Sequence, residues 1–164
     1  MNQVANDPQI IPLKLIVKQV IMITTEEKLD RPIVDIMTKQ LHTVDVSMKM
    51  VDVRLMMAKW HIRHAPVMEK GKLVGILSLT DIQRMSFSNV YGEDEMSIDD
   101  TISDLFTAGT IMHKHPETLD INLTIRESAQ KFAHREFHAF PVMEGDKLVG
   151  ILTTTDILKF ISEP

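Results

Sequence analysis

Two places in this chain set hydroxyls and a carboxylate at one spacing: Ser78, Thr80 and Asp81, and again Thr153, Thr155 and Asp156. Each set follows an apolar run carrying a glycine, Gly75 in "VGILSLTDI" (74–82) and Gly150 in "VGILTTTDI" (149–157). An apolar run that breaks into Ser, Thr and Asp reads as a strand entering a helix. A helix start presents free N–H groups and the positive end of its dipole, which suits an anion such as a phosphate. The four hydroxyls would add donors at that point. A carboxylate in the first turn stabilises the helix, and it can also accept two hydrogen bonds from a vicinal diol such as that of ribose. The glycines would let other atoms approach the backbone. Plain helix capping uses the same residue types. One copy alone therefore argues little, and two copies inside a larger repeat argue more.

The repeat extends well beyond these strings. At an offset of 75, residues 36–82 align with 111–157 without a gap, and 19 of the 47 positions are identical. Two copies are too few for a solenoid and suit a pseudo-twofold pair of subdomains. Each copy reads as a short helical turn ending at Ile36-Met37 or Ile111-Met112, then a brief strand (42–46 or 118–121). A helix follows with Ser47 or Asn122 as N-cap. The first such helix is expected to reach His61 with Val51, Leu55, Met56 and Ala58 inward. The second is expected to reach Arg135 with Ile125, Ala129 and Phe132 inward. Two strands joined at Lys70-Gly71 or Gly145-Asp146 and a helix from Leu79 or Thr154 complete the order β-α-β-β-α, twice.

These elements sit in a chain of 164 residues with no cysteine and a net charge of −5, from 23 acidic residues against 18 Lys and Arg. That length buries a core of its own. The missing cysteines exclude disulfides and thiol nucleophiles and fit a cytoplasmic location. The acidic balance argues against a nucleic-acid binder. The run 10–23 is interrupted by Pro12, Lys14, Lys18 and Gln19; it is too charged to span a membrane, and its Ile and Val content suggests a strand. Residues 87–100 are rich in acids and read as a solvated linker. Trp60 and the 12 methionines read as core or interface filling. His134 and His138 stand four apart but lack the glutamate of the zinc-protease motif, so no metal site is expected. No P-loop or nucleophile elbow is present, and no catalysis is expected.

The Gly-apolar-x-Ser/Thr-x-x-Asp pattern after a Pro-Val strand resembles the CBS domain, named after cystathionine β-synthase. Two in tandem resemble a CBS pair, or Bateman module. The resemblance implies an α/β (α+β) fold of two pseudo-symmetric β-α-β-β-α subdomains: an arm at 1–30, one domain at 31–86, a linker at 87–100 and a second domain at 101–164. It also implies a free-standing sensor that binds AMP, ADP, ATP or S-adenosylmethionine in clefts between the domains, with no cofactor required. Carried over residue by residue, Asp81 and Asp156 would hold ribose. Ser78, Thr80, Thr153, Thr155, Arg63, His64 and His138 would face the phosphates, and Val44, Ala65, Pro66, Leu119, Phe140 and Pro141 would line the adenine. In the first copy Arg63 and His64 precede the Pro-Val strand. In the second His138 matches Arg63, Ala139 replaces His64, and Phe140 replaces Ala65. The second cleft is thus expected to be narrower and less basic, unless His113, Lys114 and His115 offset the difference. The resemblance further implies a homodimer and an effector protein of unknown identity; the alternative is a dimerisation scaffold that binds no nucleotide.

Overall fold

The computed structural model describes residues 26–88 and 106–163, with residue 14 in addition. After a 3-10 turn at Ile33–Asp35 come β1 (Val44–Asp45), α1 (Met50–Lys59), β2 (His64–Glu69), β3 (Lys72–Ser78) and α2 (Leu79–Ser88). The second half contains α3 (Ala108–Ile111), β4 (His113–Lys114), β5 (Leu119–Asp120), α4 (Ile125–Ala133), β6 (Ala139–Glu144), β7 (Lys147–Thr153) and α5 (Thr154–Ser162). This is the mixed α/β fold expected, with β-α-β-β-α twice over. In each half a short parallel strand joins an antiparallel hairpin: β1–β2–β3 in one, β5–β6–β7 in the other. The registers repeat at the same offset, Pro66 opposite Ile76 and Pro141 opposite Ile151, and both hairpins carry a bulge after the valine, Val67 or Val142. The hairpin turns need positive φ, which Gly71 (79°) and Gly145 (57°) adopt without steric cost.

The halves exchange their leading segments. By sequence β4 opens the second copy, yet it pairs with β3 of the first, Gly75 opposite Lys114 and Ile76 opposite His113. Reciprocally, Thr38 of the first copy bridges Ile151 of β7, with N···O distances of 2.9 and 3.0 Å. A second symmetric pair of bridges joins Pro32 to Thr124 and Lys49 to Thr107. The cores follow this exchange. Ile33 and Met37 complete the second core with Leu119, Ile125, Phe140, Val142 and Leu152. Ala108, with Ile111 and Met112 packed beside it, completes the first core with Val44, Val53, Ala65, Val67 and Leu77. Neither sheet can bury its apolar face without a turn from the other half.

Several local expectations change. Ser47 and Asn122 do not cap helices. Their backbone N–H groups donate back to Asp45 and Asp120 at 2.9 Å, in turns that delay the helix. Each helix instead starts after Lys49 or Thr124, and Thr124 forms a reciprocal box with Glu127. The later start turns the helix, so the buried residues of α1 are Met50, Val53 and Met57; Met56 is half-buried against the same core, Val51 is half-buried, Ala58 is exposed, and Leu55 lies outside at 65% exposure. In α4, Ile125 and Phe132 are buried and Ala129 is half-buried. The helices end earlier than expected, at Lys59 and Ala133. Trp60 is no core residue: it stacks on His42 at the surface, centroids 4.2 Å apart, and Lys59 lies over its ring. The strand expected over 10–23 lies outside the described residues except at Lys14, which is helical. Residues 26–29 are helical too. They join the second half, where Lys28 donates to the Glu163 carbonyl, Lys28 and Arg31 lie over the Phe160 ring, and Asp30 pairs with Arg126. The acidic linker lies outside the described residues beyond Ser88.

Candidate functional site

Strand alternation sorts the hairpin residues by face. Ala65, Val67 and Leu77 enter the first core, so His64, Pro66, Ile76 and Ser78 face the other way. His113, opposite Ile76, shares that face. The equivalent face of the second half carries Ala139, Pro141, Ile151, Thr153 and Thr38. Pro66 and Pro141 are buried there, because β3 and β7 pack against each other across the seam. The two strand-to-helix junctions therefore open beside this seam.

At the first junction the Asp81 N–H donates to Ser78 Oγ at 3.1 Å, so Ser78 caps α2. At the second, Thr153 caps α5 by accepting from the Asp156 N–H at 3.2 Å. Thr153 also gives both its backbone N–H (2.8 Å) and its hydroxyl (2.7 Å) to Asp156 Oδ2. Helix capping thus occupies Thr153 and one oxygen of Asp156; the other carboxylate oxygen, Oδ1, has no hydrogen-bond partner among the described residues. Thr80 and Thr155 are exposed in the first helical turns.

The basic groups divide differently from the sequence expectation. His64 is partly buried on the seam face, and burial holds its pKa below the usual histidine value. The nearby His138 and Arg63 push it the same way, and Asp81 opposes them. His138 belongs by sequence to the second copy, yet its charge acts on His64 of the first. His113 and Lys114, expected to compensate the second cleft, pair instead with the first sheet close to Ser78. His115 follows them, its N–H donating to the Val74 carbonyl.

The glycines serve packing. A Cβ on Gly75 would lie 2.3 Å from Met112 Sδ, and one on Gly150 would lie 2.5 Å from Met37 Sδ. Each glycine admits the methionine of the other half's turn, on the core side of the strand. Four of the six residues expected to line an adenine are core residues: Val44, Ala65 and Leu119 are 0% exposed and Phe140 is 1% exposed. Their side chains face the cores, and a ligand on the seam face would meet only their backbone. Phe140 does not narrow a cleft, since its ring packs against Phe132 at 4.6 Å inside the second core.

Sequence reasoning missed Phe137. It is 40% exposed, and its ring lies 5.7 Å from that of His113 and 6.1 Å, edge-on, from that of Phe140. Only the exchanged pairing of β4 brings it toward the first junction, and no local pattern signals that.

A family model for the CBS domain matches residues 33–87 and 108–163. The chain belongs to the CBS-domain family. It is similar to the CBS domain of a CBS-domain-containing membrane protein from Sphaerobacter thermophilus, at 25% identity and TM-score 0.76, covering 88% of this chain and 97% of that one. The CBS domain of a bacterial CNNM/CorC-family Mg2+ transporter, in complex with ATP, shares the fold at 19% identity and TM-score 0.68, covering 88% and 96%. So does the CBS-pair protein CBSX2 in complex with AMP, at 22% identity and TM-score 0.63, covering 78% and 93%. An uncharacterised protein of Methanocaldococcus jannaschii is 28% identical over 78% of this chain, and the match spans 38% of that relative's length. As a tandem CBS pair the chain is a regulatory type of module. Among the described residues no helix is long and apolar enough to cross a membrane.

Proposed function

We propose that this CBS pair is a cytoplasmic sensor that binds adenosine-containing ligands at its two junctions and signals by conformational change to an effector protein. The observation that carries the reading is the doubled junction. Ser78 and Asp81 in one half, and Thr153 and Asp156 in the other, flank helix starts that open at one seam. AMP and ATP complexes of proteins with this fold support it. In this reading Asp81 and Asp156 hold ribose, while His64, His138 and Arg63 meet phosphates with the hydroxyls and helix ends. A charge-assisted contact of that kind contributes about 1.5–3 kcal/mol. Because β3 and β7 pack across the seam, a ligand preferring one spacing of the halves shifts the population toward it.

The test is a thermal-shift panel with AMP, ADP, ATP, S-adenosylmethionine and NAD on the wild type and on Asp81→Ala plus Asp156→Ala. A ligand at a hundredfold excess over Kd stabilises by about 2.7 kcal/mol. A shift with an adenosyl ligand that the double variant loses supports the reading. No shift with any ligand sinks it. A second reading, a homodimerisation scaffold without a physiological nucleotide, draws on the closed Thr153–Asp156 box and on the exposed Leu55, Leu158 and Ile161.

A further inference from the structure

The two junctions have unequal walls. At the first, His113 stands opposite Ile76 on the seam face, two residues from Ser78. Its ring meets Phe137, and Phe137 in turn meets Phe140, which is anchored against Phe132 in the second core. A run of four rings therefore leads from the core of one half to the junction of the other. Its third ring, Phe137, is left 40% exposed, and the residue after it is His138, whose charge, after burial, helps hold the His64 pKa down. The repeat relation puts Thr38, Ile62, Ala65 and Met57 at the matching positions of the second junction, and none of these is aromatic.

We infer that Phe137, braced by His113 and Phe140, is the stacking wall for a flat heteroaromatic base in the Asp81 cleft, and that the Asp156 cleft has no counterpart. An exposed phenylalanine is costly to leave in water, and an aromatic face offers a base a favourable, sequence-tolerant contact. The ring's edge is fixed by its neighbours, so little side-chain freedom is lost when a ligand stacks. The Asp81 cleft would then discriminate AMP from ribose 5-phosphate, which carries the same sugar and phosphate without a base. The Asp156 cleft would discriminate far less.

This inference rests on nucleotide binding at the two junctions, and the experiment separates the two failures. Each cleft is isolated by removing the other carboxylate, with Asp156→Ala leaving the Asp81 cleft and Asp81→Ala leaving the Asp156 cleft. AMP and ribose 5-phosphate are titrated calorimetrically into both proteins, with and without Phe137→Ala. A parallel set uses Phe137→Leu, which keeps apolar bulk and loses the ring, Phe137→Trp, which restores one, and Ile62→Ala. Because Phe137 is partly exposed, these variants are expected to fold, and a thermal melt checks it. The expected result is a loss of about tenfold in AMP affinity in the Asp156→Ala background on removing the ring, recovery with Trp, and ribose 5-phosphate unchanged. In the Asp81→Ala background the same change should have no effect. Equal losses in both backgrounds, or loss with Ala but not with Leu, overturn the stacking role while leaving nucleotide binding intact. No AMP binding to the wild type overturns both.

Discussion

Ser128 is the sharpest anomaly at the scale of single residues. It is fully buried on α4, its hydroxyl has no hydrogen-bond partner among the described residues, and Val53 occupies its position in the first half. An unpaired buried hydroxyl costs about 1–3 kcal/mol. Ser128→Ala is therefore expected to raise stability by about 1 kcal/mol, read from urea denaturation at unchanged slope. Thr153 has the opposite role: Thr153→Ala removes a cap and frees Asp156, and should cost about 1 kcal/mol. His64 gives a pH signature. Its folded pKa lies below the unfolded value of about 6.5. The unfolded chain therefore takes up the proton first. The full contribution is present above that pH, and stability falls as pH drops through it toward the depressed folded value. His64→Asn should flatten the melting temperature between neutral pH and pH 5, and an unchanged slope would place the titration elsewhere.

Among the elements, the Met–Gly contacts hold the exchanged turns in place. Gly75→Ala puts a methyl on Met112 Sδ, with the His113 carbonyl at 3.0 Å behind it. Overpacking of this kind costs about 1–3 kcal/mol. Part of it should return in Gly75→Ala plus Met112→Ala, and strict additivity in that double-mutant cycle would show that the two residues do not meet in solution. The same elements explain how one sequence pattern tolerates different chemistry. Where the first half stacks His42 on Trp60, the second pairs Glu117 with Arg135 at 2.7 Å and with Lys131 at 3.5 Å. Both link the segment before the short parallel strand to the helix C-terminus, once by ring stacking and once by charge. The Arg135 hydrogen bond chiefly holds the Glu117 carboxyl below the usual carboxylate range.

For the whole molecule, reciprocal exchange makes the halves interdependent. The second core needs Ile33 and Met37, and the first needs Ala108. A fragment of residues 106–163 would expose the faces that Ile33 and Met37 cover. It is expected to be unfolded by circular dichroism, whereas the intact chain should melt in one step with matching calorimetric and van't Hoff enthalpies. A folded, cooperatively melting fragment would mean that the exchange is dispensable. In the proposed reading, a ligand at either junction would act on β3 or β7, which pack on each other across the seam, so either site could bias it.

The sequence by itself determined the repeat, the β-α-β-β-α order, the hairpin turns at Lys70-Gly71 and Gly145-Asp146, and the hydroxyls at the two later helix starts. All of these rest on local periodicity, turn residues and side chains that bond within three positions. It misjudged the inward face of α1, because Asp45 and Asp120 capture the intended caps and a helix begun later presents a different stripe. Only the tertiary structure decided which half each leading segment completes, that Gly75 and Gly150 exist for Met112 and Met37, and that His113 pairs beside Ile76 and meets Phe137. These are pairings across the pseudo-twofold seam. A repeat aligned to itself shows which residues correspond but not which copy they meet, since exchanged and unexchanged pairings give the same one-dimensional pattern.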